Sequence, residues 1–170
     1  SIEHGILDDE CVDLMLEKNA YYVPTICQTQ DLETILESGL PQFMVDKALS
    51  VKEIHLEGFK KAYKAGVKIA CGSDSPPLSQ FTHLELKHLK IAGMSTVDTL
   101  KSGTTIPAEL CGVSNTFGKI EENYIADIIV LEDNPLNNLN TVFDPTMVFK
   151  HGIKFDEQYG LASFEDIYIN

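Results

Sequence analysis

Of the five histidines in this 170-residue chain, His4 stands apart by its context. It closes a short β-favouring run, residues 1–4, immediately before Gly5, where a strand gives way to a loop. In β/α barrels the functional groups emerge at such C-terminal strand ends. Asp74 has the same placement, three residues beyond the apolar run 67–71 and inside Gly72-Ser73-Asp74-Ser75-Pro76-Pro77, a stretch that no regular element could contain. A neutral imidazole and a carboxylate are both ligands for zinc. Read locally, Asp74 is equally an Asx-type turn residue. A catalytic zinc needs about three protein ligands, and the chain contains neither a His-x-His nor an H-E-x-x-H motif, so local chemistry gives half a site. His55 and His88 fall inside helical patterns, and His151 ends a strand beside Lys150 and Gly152. These three read as structural.

The elements that must position His4 and Asp74 follow from the patterning. Asp8 or Asp9 can cap a helix running to about Lys18. Residues 20–24 hold Tyr21, Tyr22 and Val23 and end at Pro24, which reads as a short buried strand. A polar stretch, 28–39, holds at most a helical turn around Leu32 to Leu36, and Pro41 then opens a long helix ending near Gly66. On that helix Leu49, Leu56, Phe59 and Tyr63 recur at helical spacing and predict the buried face, with Lys47, Glu53 and Lys60 left to solvent. After the strand at 67–71 come three helices, about 82–92, 95–100 and 107–111, stopped by Gly93, Gly103 and Gly112. Repeated strand, loop and helix predict a parallel α/β architecture over residues 1–117. Residues 118–156 change character: 126–131 and 147–151 read as strands, Gly152 turns a hairpin into 153–155, and no helix is expected between them. The tail 157–170 receives no assignment.

Thirteen Lys and Arg against 26 Asp and Glu give a formal charge of −13. That balance would repel nucleic acid and an anionic membrane alike. The four cysteines, Cys11, Cys27, Cys71 and Cys111, form no C-x-x-C pair and read as reduced, packed thiols of a cytoplasmic protein. No secretory leader and no apolar run of about 18 residues is present. The chain opens at Ser1 without an initiator Met, directly in strand-like residues, as expected for a cut through a larger protein.

Several segments, in order, carry a resemblance. Ser1-Ile2-Glu3-His4-Gly5 with Leu7-Asp8-Asp9, Tyr22-Val23-Pro24-Thr25, and Ala65-Gly66-Val67-Lys68-Ile69-Ala70 leading into Gly72-Ser73-Asp74 are followed by Gly93-Met94-Ser95, Ala108-Glu109-Leu110-Cys111-Gly112, Gly118-Lys119-Ile120 and Ala126-Asp127-Ile128-Ile129-Val130-Leu131. Over residues 1–155 the chain resembles the later half of amidohydrolases of the imidazolonepropionase and prolidase-like group. It departs from that group at Thr104-Thr105-Ile106-Pro107-Ala108, where Thr-x-Asn-x-Ala is frequent, and at Glu122-Asn123-Tyr124, where a Pro-Gly turn is usual.

The resemblance implies an α/β fold: a partial (β/α)8 TIM barrel, strands six to eight, followed by the C-terminal strands of a small β-sandwich. It implies that His4 is the sixth-strand metal ligand and that Asp74 binds metal and carries a proton as the catalytic residue. His83, on the approach to the helix after the Asp74 loop, is implied as a substrate contact, against a helix-cap reading. The cofactor implied is zinc, one or two ions in the full-length protein. The substrate implied is a dipeptide, acyl amino acid or cyclic amide cleaved at a C–N bond, with the isolated fragment inactive. The alternatives are a non-catalytic amidohydrolase-like scaffold and a freestanding binding module. Three barrel strands cannot close on themselves, so self-association is also expected.

Overall fold

The structure is a computed structural model that describes residues 1–31, 36, 39, 41–74 and 81–155. Three short strands build one parallel sheet in the order β1 (Ile2–Glu3), β2 (Tyr21–Val23) and β3 (Lys68–Ile69). Ile2 pairs with Tyr22 and Tyr22 with Ile69, so β2 is the shared middle strand. Parallel neighbours require crossovers. The first is α1 (Asp9–Glu17), and Asp8 is the residue that caps it, accepting the amide N–H of Cys11 at 2.8 Å. The second contains α2 (Cys27–Gln30) and the 24-residue α3 (Gln42–Ala65), which Pro41 precedes and Gly66 ends in a left-handed conformation with φ 92°.

Beyond β3 lie α4 (Phe81–Ile91), α5 (Thr96–Ser102) and α6 (Thr105–Leu110). Ser95 caps α5 by accepting the amide of Asp98 at 3.0 Å. The core gathers Val12 and Met15 of α1, Phe59 and Ala62 of α3, and Leu89 of α4 around Tyr22 and Ile69 of the sheet. At the N-terminal end of the strands, Lys68 reaches Glu109 at 3.2 Å and the Tyr21 hydroxyl at 3.3 Å, clasping β2, β3 and α6 together. The opposite end is left to the loops that carry His4 and Asp74.

A second, antiparallel sheet follows: β4 (Ile128–Val130), β5 (Met147–Lys150) and β6 (Ile153–Lys154), with Ile129 opposite Val148 and Lys150 opposite Ile153. Asp127, just before β4, ties the hairpin by accepting from Lys150 Nζ at 2.6 Å and from the amide of His151 at 2.9 Å.

Three expectations need correction. A 3-10 helix, Leu139–Phe143, lies between β4 and β5, where none was expected. Leu49 is 40% exposed, and the buried face of α3 runs through Val45, His55, Phe59 and Ala62. At 3.6 residues per turn Leu49 falls at the margin of that stripe, on the side where Leu56 and Tyr63 are also only half-buried. Cys111 is exposed rather than packed, because it sits at the C-cap of α6 facing out of the bundle. The predicted turn at 32–36 and the tail at 157–170 fall essentially outside the described residues.

Candidate functional site

Six non-glycine residues among those described have positive φ, and three of them follow the three parallel strands in turn. These are His4 after β1 at φ 60°, Thr25 after β2 at 48° and Asp74 after β3 at 52°. The left-handed region is strained for an L-residue, and for β-branched Thr25 it is a genuine outlier. Such strain persists where surrounding contacts enforce it, and it clusters at functional sites. Here it turns three side chains out of the sheet at one edge.

The contacts around His4 fix more than its position. Its backbone amide donates to the Val23 carbonyl at 3.1 Å, extending the β1–β2 ladder by one bond. Its Nδ1 lies 2.9 Å from Thr25 Oγ1. The Thr25 hydroxyl donates its single proton to the Pro24 carbonyl at 2.7 Å, so toward the imidazole it can only accept. Neutral His4 therefore carries its proton on Nδ1 and keeps the Nε2 lone pair for an external partner. Tyr22, buried beneath, donates its hydroxyl to the Gly5 carbonyl and anchors the next residue along.

Asp74 is exposed, and the backbone just before it is tied to the same turn that holds Thr25. The buried Ser73 has its carbonyl accept from Gln28 Nε2 at 2.7 Å, and the Cys27 thiol approaches the same oxygen at 3.8 Å. Sequence reasoning missed the group that fixes this turn. Glu85 of α4 is fully buried, and its two carboxylate oxygens accept the amides of Ile26 at 2.9 Å and Cys27 at 2.8 Å. Burial raises its pKa above the ordinary carboxylate value, with the two amides pulling the other way. The available signal was one acid in an apolar helical stripe with Leu89 and Ala92. The same apolar surroundings push the thiol of Cys71 up to about 12 and that of Cys27 upward, so neither is a ready thiolate.

His55 of α3 lies under the β2–α2 turn. Its Nδ1 is 2.8 Å from Thr29 Oγ1, and its Nε2 is fully buried. Burial holds its pKa below the usual histidine value, opposed in part by the backbone of Pro24. His83 is half-buried on the first turn of α4, with its ring 5.3 Å from that of Phe143 in the 3-10 helix. His88 pairs with Asp31 at 3.4 Å.

His4 and Asp74 thus stand at one sheet edge on either side of Thr25. Their donors, an imidazole nitrogen and a carboxylate, suit a divalent cation such as zinc in kind. In number they fall short, since among the described residues no group of three His, Cys, Asp or Glu could hold a metal ion.

Comparison with known proteins sets this edge in context. The model described as the amidohydrolase family matches residues 1–154. An ochratoxinase from Aspergillus niger is 33% identical over 161 residues, covering 91% of this chain and 33% of its own length. The crystal structure of a Xaa-Pro dipeptidase with bound methionine superposes with a TM-score of 0.80 at 31% identity, over 91% of this chain and 39% of that one. A prolidase complexed with N-methylphosphonate-L-proline gives a TM-score of 0.79 at 31% identity, over 91% and 40%. The chain therefore spans about a third of the length of the curated relatives it matches.

Proposed function

The chain belongs to the amidohydrolase family, and we propose that it supplies one side of the active site of a metal-dependent hydrolase that cleaves an amide or other C–N bond in a small substrate. Dipeptides, acyl amino acids and cyclic amides are the substrate classes. In this reading β1, β2 and β3 are strands six to eight of a (β/α)8 barrel, and β4 to β6 belong to an accompanying β-sandwich. The observation that supports it most is the edge where His4, Thr25 and Asp74 each leave a parallel strand in the left-handed conformation.

His4, through Nε2, and Asp74 would hold the cation, for which zinc is the proposed identity. When bound, such an ion polarises the scissile carbonyl and makes water a better nucleophile near neutral pH. The protein's own part is division of labour. Thr25 keeps His4 in the tautomer that presents Nε2. Asp74 accepts a proton from the attacking water and returns it to the departing nitrogen, which needs one carboxylate within reach of both atoms. His83 is assigned an edge contact with substrate at most, because its ring is already engaged with Phe143. Two donors are fewer than the roughly three protein ligands of a catalytic zinc, so the isolated chain is proposed to be inactive.

The test is hydrolysis by the full-length protein of a panel of Xaa-Pro and other dipeptides and N-acyl amino acids. The assay is run as purified, after chelation, and after zinc is returned. Cleavage that chelation abolishes and zinc restores is expected. A folded, metal-loaded protein that cleaves none of the panel would favour the non-catalytic scaffold, and chelator-resistant cleavage would remove the metal from the account.

A further inference from the structure

The β2–α2 turn carries unusual demands for four residues of helix. Ile26 supplies no side-chain cap to α2, and while the Gln28 amide finds the Thr25 carbonyl at 3.0 Å, the amides of Ile26 and Cys27 find their acceptor outside the turn. The acceptor comes from 59 residues away in sequence: Glu85, 0% exposed, takes the amides of both Ile26 and Cys27. Burying a carboxylate is costly, and two backbone N–H donors are the compensation the fold provides. A neutral residue could fill the same space at a smaller desolvation cost. What a neutral residue could not do is accept two diverging N–H groups at once and so hold the turn in a single register.

The register matters because the turn touches both halves of the proposed centre. One residue before Ile26, Thr25 is strained at φ 48° and bears on His4 Nδ1 at 2.9 Å. One residue after Cys27, Gln28 donates to the Ser73 carbonyl at 2.7 Å, next to Asp74. We propose that Glu85 is a positioning residue for this centre, acting through the β2–α2 turn to hold His4 and Asp74 in one mutual arrangement. The proposal rests on the reading of those two residues as metal ligands.

Glu85→Gln in the full-length protein tests it, because an amide accepts one N–H but turns its own NH2 against the other. Two quantities are read: the zinc dissociation constant by chelator competition, and kcat and KM separately. The expectation is about tenfold weaker zinc binding and a kcat about tenfold lower, as when outer-shell partners of metal ligands are removed, with KM changed less than kcat. Thr25→Val, which cuts only the contact to His4, should weaken zinc comparably. The double variant should be little worse than either single one, because both act on the same turn. If Glu85→Gln fails to fold, Glu85→Asp keeps the charge, draws the carboxylate back by one methylene and carries the same expectation.

A variant that only melts earlier, with zinc affinity and kcat intact in the folded protein, would show Glu85 to be a core filler and overturn the proposal. Weakened zinc in Thr25→Val alone would also overturn it while leaving the reading of His4 in place. Unchanged zinc affinity in both variants would overturn the proposal, and unchanged zinc affinity in His4→Ala would remove the ligand role of His4 itself.

Discussion

An imidazole can donate to a metal through Nε2 only when its proton sits on Nδ1, and Thr25 enforces that condition through a hydroxyl already committed to Pro24. His55 shows the opposite use of the same side chain. It is buried, and its pKa lies below the usual value near 6.5 because burial penalises the charged form. The sign of the consequence is fixed. The unfolded chain binds the proton at a higher pH than the folded one, so the stabilising contribution is complete above about pH 6.5 and is lost as pH falls through the lowered folded value. Urea-unfolding midpoints of the full-length protein between about pH 8 and 5 should fall more steeply for the wild type than for His55→Gln. Parallel curves would show that His55 does not titrate on unfolding. His4 and Asp74 were nominated from the sequence because each follows a recognisable strand and each is of a ligand type. Thr25 and Glu85 were not, because a hydroxyl and a buried acid acquire a role only from what tertiary structure sets against them.

The strands of the parallel sheet are two or three residues long, so the edge they present is held mainly by the helices around it. Helix α3 shows how closely. At Gly58 its backbone passes Leu7, and a Cβ built there would lie 2.7 Å from the Leu7 carbonyl oxygen and 3.0 Å from its nitrogen. Alanine at that position should gain about 1 kcal/mol in helix propensity. Against this stands the overpacking cost of about 1–3 kcal/mol for forcing backbone apart. Gly58→Ala should therefore lower the melting temperature of the full-length protein and loosen the loop that follows His4. A raised melting temperature would mean that the α3–Leu7 approach is slack. Element types were largely readable because caps and stops are local: Asp8, Pro41, Gly66 and Ser95 act where the sequence places them. The buried face of α3 was misread at Leu49 because periodicity reports an apolar stripe but not which side of it the core covers, and Val45 one turn earlier is buried while Leu49 is not. The 3-10 helix, five residues without a full apolar period, left no comparable signal.

At the scale of the molecule, the described surface leaves several apolar side chains uncovered. Ile129, Val130, Met147, Val148 and Ile153 are all exposed on the second sheet, and Ile2 is exposed on the edge strand β1. No helix among the described residues is long and apolar enough to cross a membrane. The chain covers a third of the length of its curated relatives, and in the proposed reading His4 and Asp74 would be two ligands of a larger set. The central claim is that this edge is half of a working hydrolytic centre, with Asp74 both holding the cation and moving the proton. The most direct measurement is kcat, with bound zinc quantified in the same samples, for full-length wild type, Asp74→Asn and Asp127→Asn. Asparagine can still offer an oxygen to the ion but cannot carry the proton. Asp74→Asn should therefore keep its fold and most of its zinc while losing about 10²-fold or more in kcat. Asp127 ties only the second sheet, and its variant should turn over nearly as the wild type does. Near-normal kcat in zinc-loaded Asp74→Asn would contradict the account at its centre.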